Sequence, residues 1–251
     1  MRPSSVTALL AATLVAMATA PLLQAAQAKP PKKVLVVTVT KGFRHDSIPT
    51  AERVLDQLAK DSGAFFVDYA RTDADLATKM SVKALAGYDG VVFAHTTGDL
   101  PLPDRQAFVD WVAAGHGFVG IHSATDTYHG WPPFIEMIGG EFESHGPQAK
   151  VDLLPQDKAH PATKGMAGPT TVFDEIYLYK SFSRDRVHML LALDKHPNEG
   201  TPGYFPLAWT RTPGKGRVFY TALGHREDVL EAEWYRKHLL GGILWALGLA
   251  S

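Results

Sequence analysis

Short apolar runs, each ending in small polar residues, recur through the first half of the chain and alternate with stretches of helical periodicity. Lys33 to Thr40 (KVLVVTVT), Phe65 to Tyr69, Asp89 to Ala94 (DGVVFA) and Phe118 to Ile121 are rich in β-branched and aromatic residues and almost free of charge. Such runs predict strands covered on both faces, as the interior of a parallel sheet requires. Between the first two, Ser47 or Pro49 opens a helix that carries Ala51, Val54, Leu55 and Leu58 on one face. A Thr- and Asp-rich connection leads to a short helix around Val82 to Leu85. Pro103 to Ala114 predicts another, with Phe108, Trp111 and Val112 inward and Gly115 closing it. This β-α-β-α rhythm with short links predicts a parallel sheet flanked by helices.

The second half is less regular. Trp131 to Ile138 has helical character and stops at Gly139-Gly140. Lys150 to Leu154, Thr171 to Lys180, Val187 to Leu193 and Phe205 to Thr212 read as strands separated by Pro- and Gly-rich turns, an antiparallel extension of the sheet. Arg217 to Leu223 (RVFYTAL) returns to the buried-strand pattern and stops at Gly224-His225. A last helix is expected from Glu231 to Leu249, with Leu239, Ile243 and Leu247 one above the other. No linker and no internal repeat divides this stretch.

The first 28 residues stand apart. Arg2, the apolar run Val6 to Ala20 and Ala26-Gln27-Ala28 have the layout of a cleaved secretory signal peptide, leaving one domain over 29–251. A periplasmic or secreted location is therefore expected, and no other segment is long and apolar enough to span a bilayer. The 251 residues include no cysteine, which excludes disulfides and thiolate chemistry. With 25 Lys and Arg against 26 Asp and Glu, mixed along the chain, no basic stripe for nucleic acid is present. Neither Lys215-Gly216-Arg217 nor Gly139-Gly140 matches a nucleotide-binding fingerprint, so no nucleotide cofactor is expected.

Four of the 11 histidines change the picture. His45, His95, His122 and His225 each follow a predicted strand directly or within a few residues. Parallel strands would bring them to one edge, where ligands of open α/β sheets bind. Histidine serves there as a proton shuttle or a metal ligand. His45, His122 and His225 are the candidate ligands of a divalent metal, although nothing in their spacing requires one. The centre of the pattern is Gly117 to Tyr128 (GFVGIHSATDTY), where an imidazole, a hydroxyl and a carboxylate follow one strand end. Ser123, Thr125 and Asp126 have an alternative reading as helix caps.

The motifs GFRHDSI, GIHSATDTYHGWPPF, IGGEFESH, DEIYLY and PLAWTRTPGKGRVFYTALGH together resemble the ThuA-like (trehalose utilisation) family, over about Lys33 to Leu249. The resemblance implies a flavodoxin-like three-layer α/β/α sandwich similar to class I glutamine amidotransferases, with the antiparallel extension in the second half. In those amidotransferases a nucleophilic Cys sits in an elbow after a central strand. Here the elbow reads Gly120-Ile121-His122-Ser123-Ala124, so a histidine stands in its place, while His225 keeps the later histidine position. Without a thiol the amidotransferase route has no nucleophile. Ser123 lacks a complete Gly-x-Ser-x-Gly elbow, which leaves a Ser-dependent hydrolase as an alternative only.

The resemblance implies a role in the use of trehalose, related disaccharides or their keto forms. Keto-sugar chemistry needs a base beside the carbonyl and an acid or cation for the resulting enediolate. His122 and His225 are the candidate acid and base, with Asp126 or Glu175 as orienting carboxylate or base. Glu175 reads equally as a surface charge on an edge strand. Arg44, His45, Ser123, Tyr128, His145 and Tyr177 are the candidate substrate contacts. A non-catalytic sugar-binding module and a scaffold that binds an envelope protein are the alternatives.

Overall fold

Lys32–Val37 forms the first strand, β1, and Val34 to Val37 are almost wholly buried, as a strand covered on both faces must be. The structure is a computed structural model and describes residues 30–166, 168 and 170–251; the expected signal peptide lies outside them. Helix α1 (Ile48–Ser62) follows, with Pro49 in its first turn and Ala51, Val54, Leu55 and Leu58 buried. Strand β2 (Phe65–Ala70) leads to α2 (Asp73–Lys79), α3 (Val82–Leu85), β3 (Gly90–Ala94), α4 (Arg105–Ala113) and β4 (Gly117–Ile121). After a 3₁₀ turn at His122–Asp126 come α5 (Pro132–Ile138), β5 (Glu141–His145), β6 (Ala149–Pro155), β7 (Thr170–Asp174) and β8 (Tyr177–Lys180). The chain closes with β9 (His188–Lys195), β10 (Pro202–Arg211), β11 (Arg217–Thr221), α6 (Glu227–Glu231) and α7 (Glu233–Ala246).

Nine strands form one sheet in the order β2-β1-β3-β4-β11-β10-β9-β6-β7. The first five are mutually parallel and the last four extend them antiparallel, the two halves the sequence pattern distinguishes. Helices α1, α6 and α7 pack together on one face, and α3, α4 and α5 form a chain of contacts on the other, giving an α/β/α sandwich. Gly242 lets α7 lie directly on the sheet, since a Cβ there would come within 2.2 Å of the Phe219 ring. Among the described residues, no helix is long and apolar enough to cross a membrane.

Three elements differ from expectation. The Thr- and Asp-rich connection contains α2, started by a capping box in which Thr72 and Asp75 each take the other's backbone N–H. The expected final helix is present as α7, and Ala232, extended at a ψ of 134°, separates it from the short helix α6, which was not expected. The expected strand Thr171 to Lys180 breaks after Asp174: β7 ends in the large sheet, and β8 pairs with β5 in a separate two-stranded ribbon. The break follows from Asp174, a fully buried carboxylate that accepts the backbone N–H of Gly224 at 2.7 Å and of Arg226 at 3.2 Å. Those bonds bind the end of β7 to the loop after β11, and Glu175 is left at the corner.

Candidate functional site

The carboxyl edge of the parallel half gathers the strand-end histidines. His95 and His122 follow β3 and β4 directly, and both hold left-handed backbone, with φ of 57° and 52°. Non-glycine residues adopt that region at a cost, and such strain concentrates at functional sites. His45 enters from the loop after β1 and His225 from the loop after β11. Their rings lie against one another, His45 to His122 at 4.7 Å and His122 to His225 at 5.1 Å between centroids.

His122 is the hub. Its Nδ1–H donates to the Ala222 carbonyl at 2.7 Å, which fixes the tautomer and leaves Nε2 with a lone pair facing inward. Around Nε2 stand His45 Nε2 at 3.2 Å, His225 Nδ1 at 3.2 Å and Glu175 Oε2 at 3.4 Å. Glu175 Oε2 is also 3.2 Å from His225 Nδ1, and its Oε1 is 3.2 Å from His145 Nδ1. His45, His122, Glu175 and His225 thus each offer one donor atom, all within 4.8 Å of one another. Glu175 is only 8% exposed, which rules out its reading as a surface charge on an edge strand.

Electrostatics follow from this crowding. Burial, then the neighbouring His122 and His225, pushes the His45 pKa down to about 3, against a smaller upward pull from Glu175. Burial would raise the Glu175 carboxyl, but the imidazoles of His122 and His225 beside it carry it well below the usual range. His225 gains correspondingly: burial lowers its pKa, while the bond and charge of Glu175 outweigh that and raise it. His95 is fully enclosed behind the cluster and burial pushes its pKa far down. Its Nε2–H donates to Gly224 O at 2.8 Å, and Nδ1 has no partner.

A cleft of about 300 Å³ opens over the cluster. His45, Glu175 and His225 border it together with Phe43, Asp126, Phe142, His145 and Tyr177. Tyr177 packs on the His122 ring at 4.5 Å and on Phe142 at 4.3 Å, and His145 stacks along it. Phe43 is 67% exposed, stands edge-on to His45, and also borders a second cleft with Asp46, Gln148, His225 and Arg226. An exposed aromatic shared by two clefts offers a free face to both.

Several expected site residues sit elsewhere. Tyr128 is fully buried: its hydroxyl donates to the Leu100 carbonyl at 3.0 Å and its ring packs on Trp131 and Phe134, so it is a core residue and no substrate contact. Arg44 borders neither of these clefts; its guanidinium donates to the Thr38 carbonyl at 3.0 Å and ties down its own loop. Asp126 reaches the cleft but orients no cluster histidine. It pairs with His129, whose other nitrogen meets Glu141. His122 has no accessible side-chain surface, so its ring faces the other three groups and is not open to the cleft. Ser123 is buried, with its hydroxyl 3.5 Å from His45 Nδ1, too long for an activated nucleophile–base pair. Phe43, Phe142 and Asp174 were not singled out in the sequence, and Phe142 lay unremarked inside the IGGEFESH motif.

The model of a family described as ThuA, trehalose utilisation, matches residues 33–246. The chain belongs to the ThuA family. Solved structures agree at the level of fold. A ThuA-like protein from Parabacteroides merdae is 22% identical, with 88% of this chain and 92% of that one covered and a TM-score of 0.70. A ThuA-like protein from Bacteroides uniformis is 21% identical over 89% and 94% of the two chains, with a TM-score of 0.71. A cytoplasmic protein from Salmonella typhimurium is 16% identical over 85% and 99%, with a TM-score of 0.60. No curated protein matches the chain. In this ThuA chain His122 holds a left-handed turn after β4 and faces the cluster instead of the cleft.

Proposed function

We propose that the protein is an exported enzyme of carbohydrate use that performs proton-transfer chemistry on a disaccharide of trehalose type in its keto form. The observation that carries this reading is the meeting of three imidazoles and a carboxylate on the floor of a cleft walled by Phe43, Phe142 and Tyr177. Aromatic faces suit the apolar faces of sugar rings, and a plain binding site would need amides more than stacked histidines. The sugar class rests on the family's description as trehalose utilisation.

A base at the cleft removes the proton from the carbon beside the sugar carbonyl, and the resulting oxyanion is held by the cluster. The proton then returns to the neighbouring carbon in an isomerisation, or the adjacent C–O bond breaks in an elimination. Glu175 beside His225 favours its charged form, and the His225 side chain reaches the cleft, so it serves as the acid. Asp126, which pairs with His129 and borders the same cleft, serves as the base. His122 holds the other three from behind.

The test uses chain purified from the exported fraction, whose N-terminus by mass spectrometry is expected at Lys29. Trehalose, other disaccharides and their 3-keto derivatives are followed by NMR. Turnover of a keto-disaccharide, with the parent sugar untouched, is the expected result. Binding without turnover would instead make the protein a sugar-binding module, and neither binding nor turnover would refute the reading.

A further inference from the structure

We propose that His45, His122, His225 and Glu175 together bind one divalent first-row transition-metal ion, of the zinc or manganese class. The argument begins with the hub. Because the proton of His122 is committed to the Ala222 carbonyl, its Nε2 presents only a lone pair to the centre of the group. Two further imidazole nitrogens and a carboxylate oxygen lie 3.2–3.4 Å from that atom. Metal–nitrogen and metal–oxygen bonds of about 2.0–2.2 Å place neighbouring ligands of a tetrahedral site about 3.4 Å apart. Four of the six spacings in this group, at 3.2–3.4 Å, are therefore already those of a coordination shell, and all six lie within 4.8 Å.

The donor types point to the class of ion. Three imidazoles and one carboxylate suit a transition metal and are a poor match for magnesium or calcium, which favour oxygen. Partners of the ligands are built in as well. The Ala222 carbonyl orients His122, His145 meets the outer oxygen of Glu175, and Asp174 fixes the loop that carries His225. The cleft beside Phe43 gives an entry path. A proton-only arrangement is the competing one: His45 Nε2–H donates to His122 and His225 Nδ1–H donates to Glu175. It satisfies the same contacts without an ion.

In the loaded site the ion takes the Nδ1 lone pair of His225, so the ion, and not a His225 proton, would hold the oxyanion; it can be counted with no sugar present, so the site stands or falls apart from the keto-sugar reading. Full-length mature protein, prepared without a histidine tag, is stripped with chelator and reloaded with Zn²⁺ or Mn²⁺ alone. Content is read by mass spectrometry of the metal, affinity by calorimetry and fold by circular dichroism. About one ion per chain is expected, with a rise in melting temperature on loading. His225→Ala and Glu175→Gln should each weaken binding at least about tenfold while the chain stays folded. His188→Ala, at an exposed histidine paired with Asp157, should leave it unchanged. A folded wild-type chain that takes up neither ion supports the proton-only arrangement and overturns the proposal. So does an ion held equally well by both ligand variants. Metal uptake without turnover of any sugar leaves the site standing and removes only the sugar reading; chelator-insensitive turnover without metal uptake does the reverse.

Discussion

Replacing Asp174 tests whether the loop that carries His225 is held by one buried carboxylate. Its two oxygens accept the backbone N–H groups of Gly224 at 2.7 Å and Arg226 at 3.2 Å, and the residue has no exposed surface. Burial raises its pKa against the pull of His122 and these backbone bonds, so the carboxylate is kept here at a desolvation cost. Asp174→Ala leaves both N–H groups unpaired. Each orphaned buried donor costs about 1–3 kcal/mol, so about 2–5 kcal/mol is expected after partial relief of the carboxylate's own desolvation. For a domain of this size that corresponds to a melting temperature lower by about 4–20 °C. Asp174→Asn retains one acceptor and should lose about half as much. Thermal and urea melts of the three proteins, with Zn²⁺ titration alongside, give both readouts. Asp174→Ala within about 0.5 kcal/mol of wild type would refute the reasoning, since that is the range of an ordinary surface change.

The remaining predictions concern acid stability and the cleft mouth. His238 is fully buried, with Nδ1–H donating to the Ala162 carbonyl and Nε2 accepting from Thr221, and burial pushes its pKa down to about 4. Since the unfolded imidazole titrates near pH ~6.5, the unfolded state binds the proton first as pH falls. Stability is thus complete above pH ~6.5 and is lost at about 1.4 kcal/mol per pH unit from there down towards pH ~4. Urea melts from pH 7.5 to 4.5 should show this slope in wild type reduced by about that amount in His238→Gln; equal slopes would count against it. Phe43→Ala, at a position 67% exposed, should change stability by less than about 0.5 kcal/mol yet weaken sugar affinity about tenfold. Unchanged affinity by calorimetry with the keto-disaccharide would remove Phe43 as a platform.

Much of the fold was legible because burial on both faces leaves a plain mark. The runs at Val34, Val91, Phe118 and Val218 lack the alternation of a half-exposed strand, and all four lie in the parallel half of the sheet. Once the strands are parallel, the histidines at 45, 95, 122 and 225 must share an edge, and their rings do meet. The connection around Thr72 was harder, because a capping box normally shows Glu or Gln at its third helical residue and here uses Asp75. Tyr128 misled for a related reason. Its neighbours carry the polar pattern of a site loop, while the turn points its own ring into the core beside Phe134.

The interior of the site was less legible because its arrangement depends on contacts between residues far apart in sequence. Asp174 and Glu175 are adjacent carboxylates on what reads as one continuous strand, and alternation alone would send one to each face. The break between β7 and β8 decides otherwise: both turn inward, Asp174 to the 224–226 backbone and Glu175 to the histidines. That division assigns one carboxylate to hold the loop and the other to hold the imidazoles. It also explains why His122, at the end of β4, is drawn inward. Three partners surround its Nε2, and Tyr177 covers its ring. A strand-end histidine so enclosed touches the cluster and not the cleft, which His45, Glu175 and His225 border, with His225, 22% exposed at its side chain, the most open of the three.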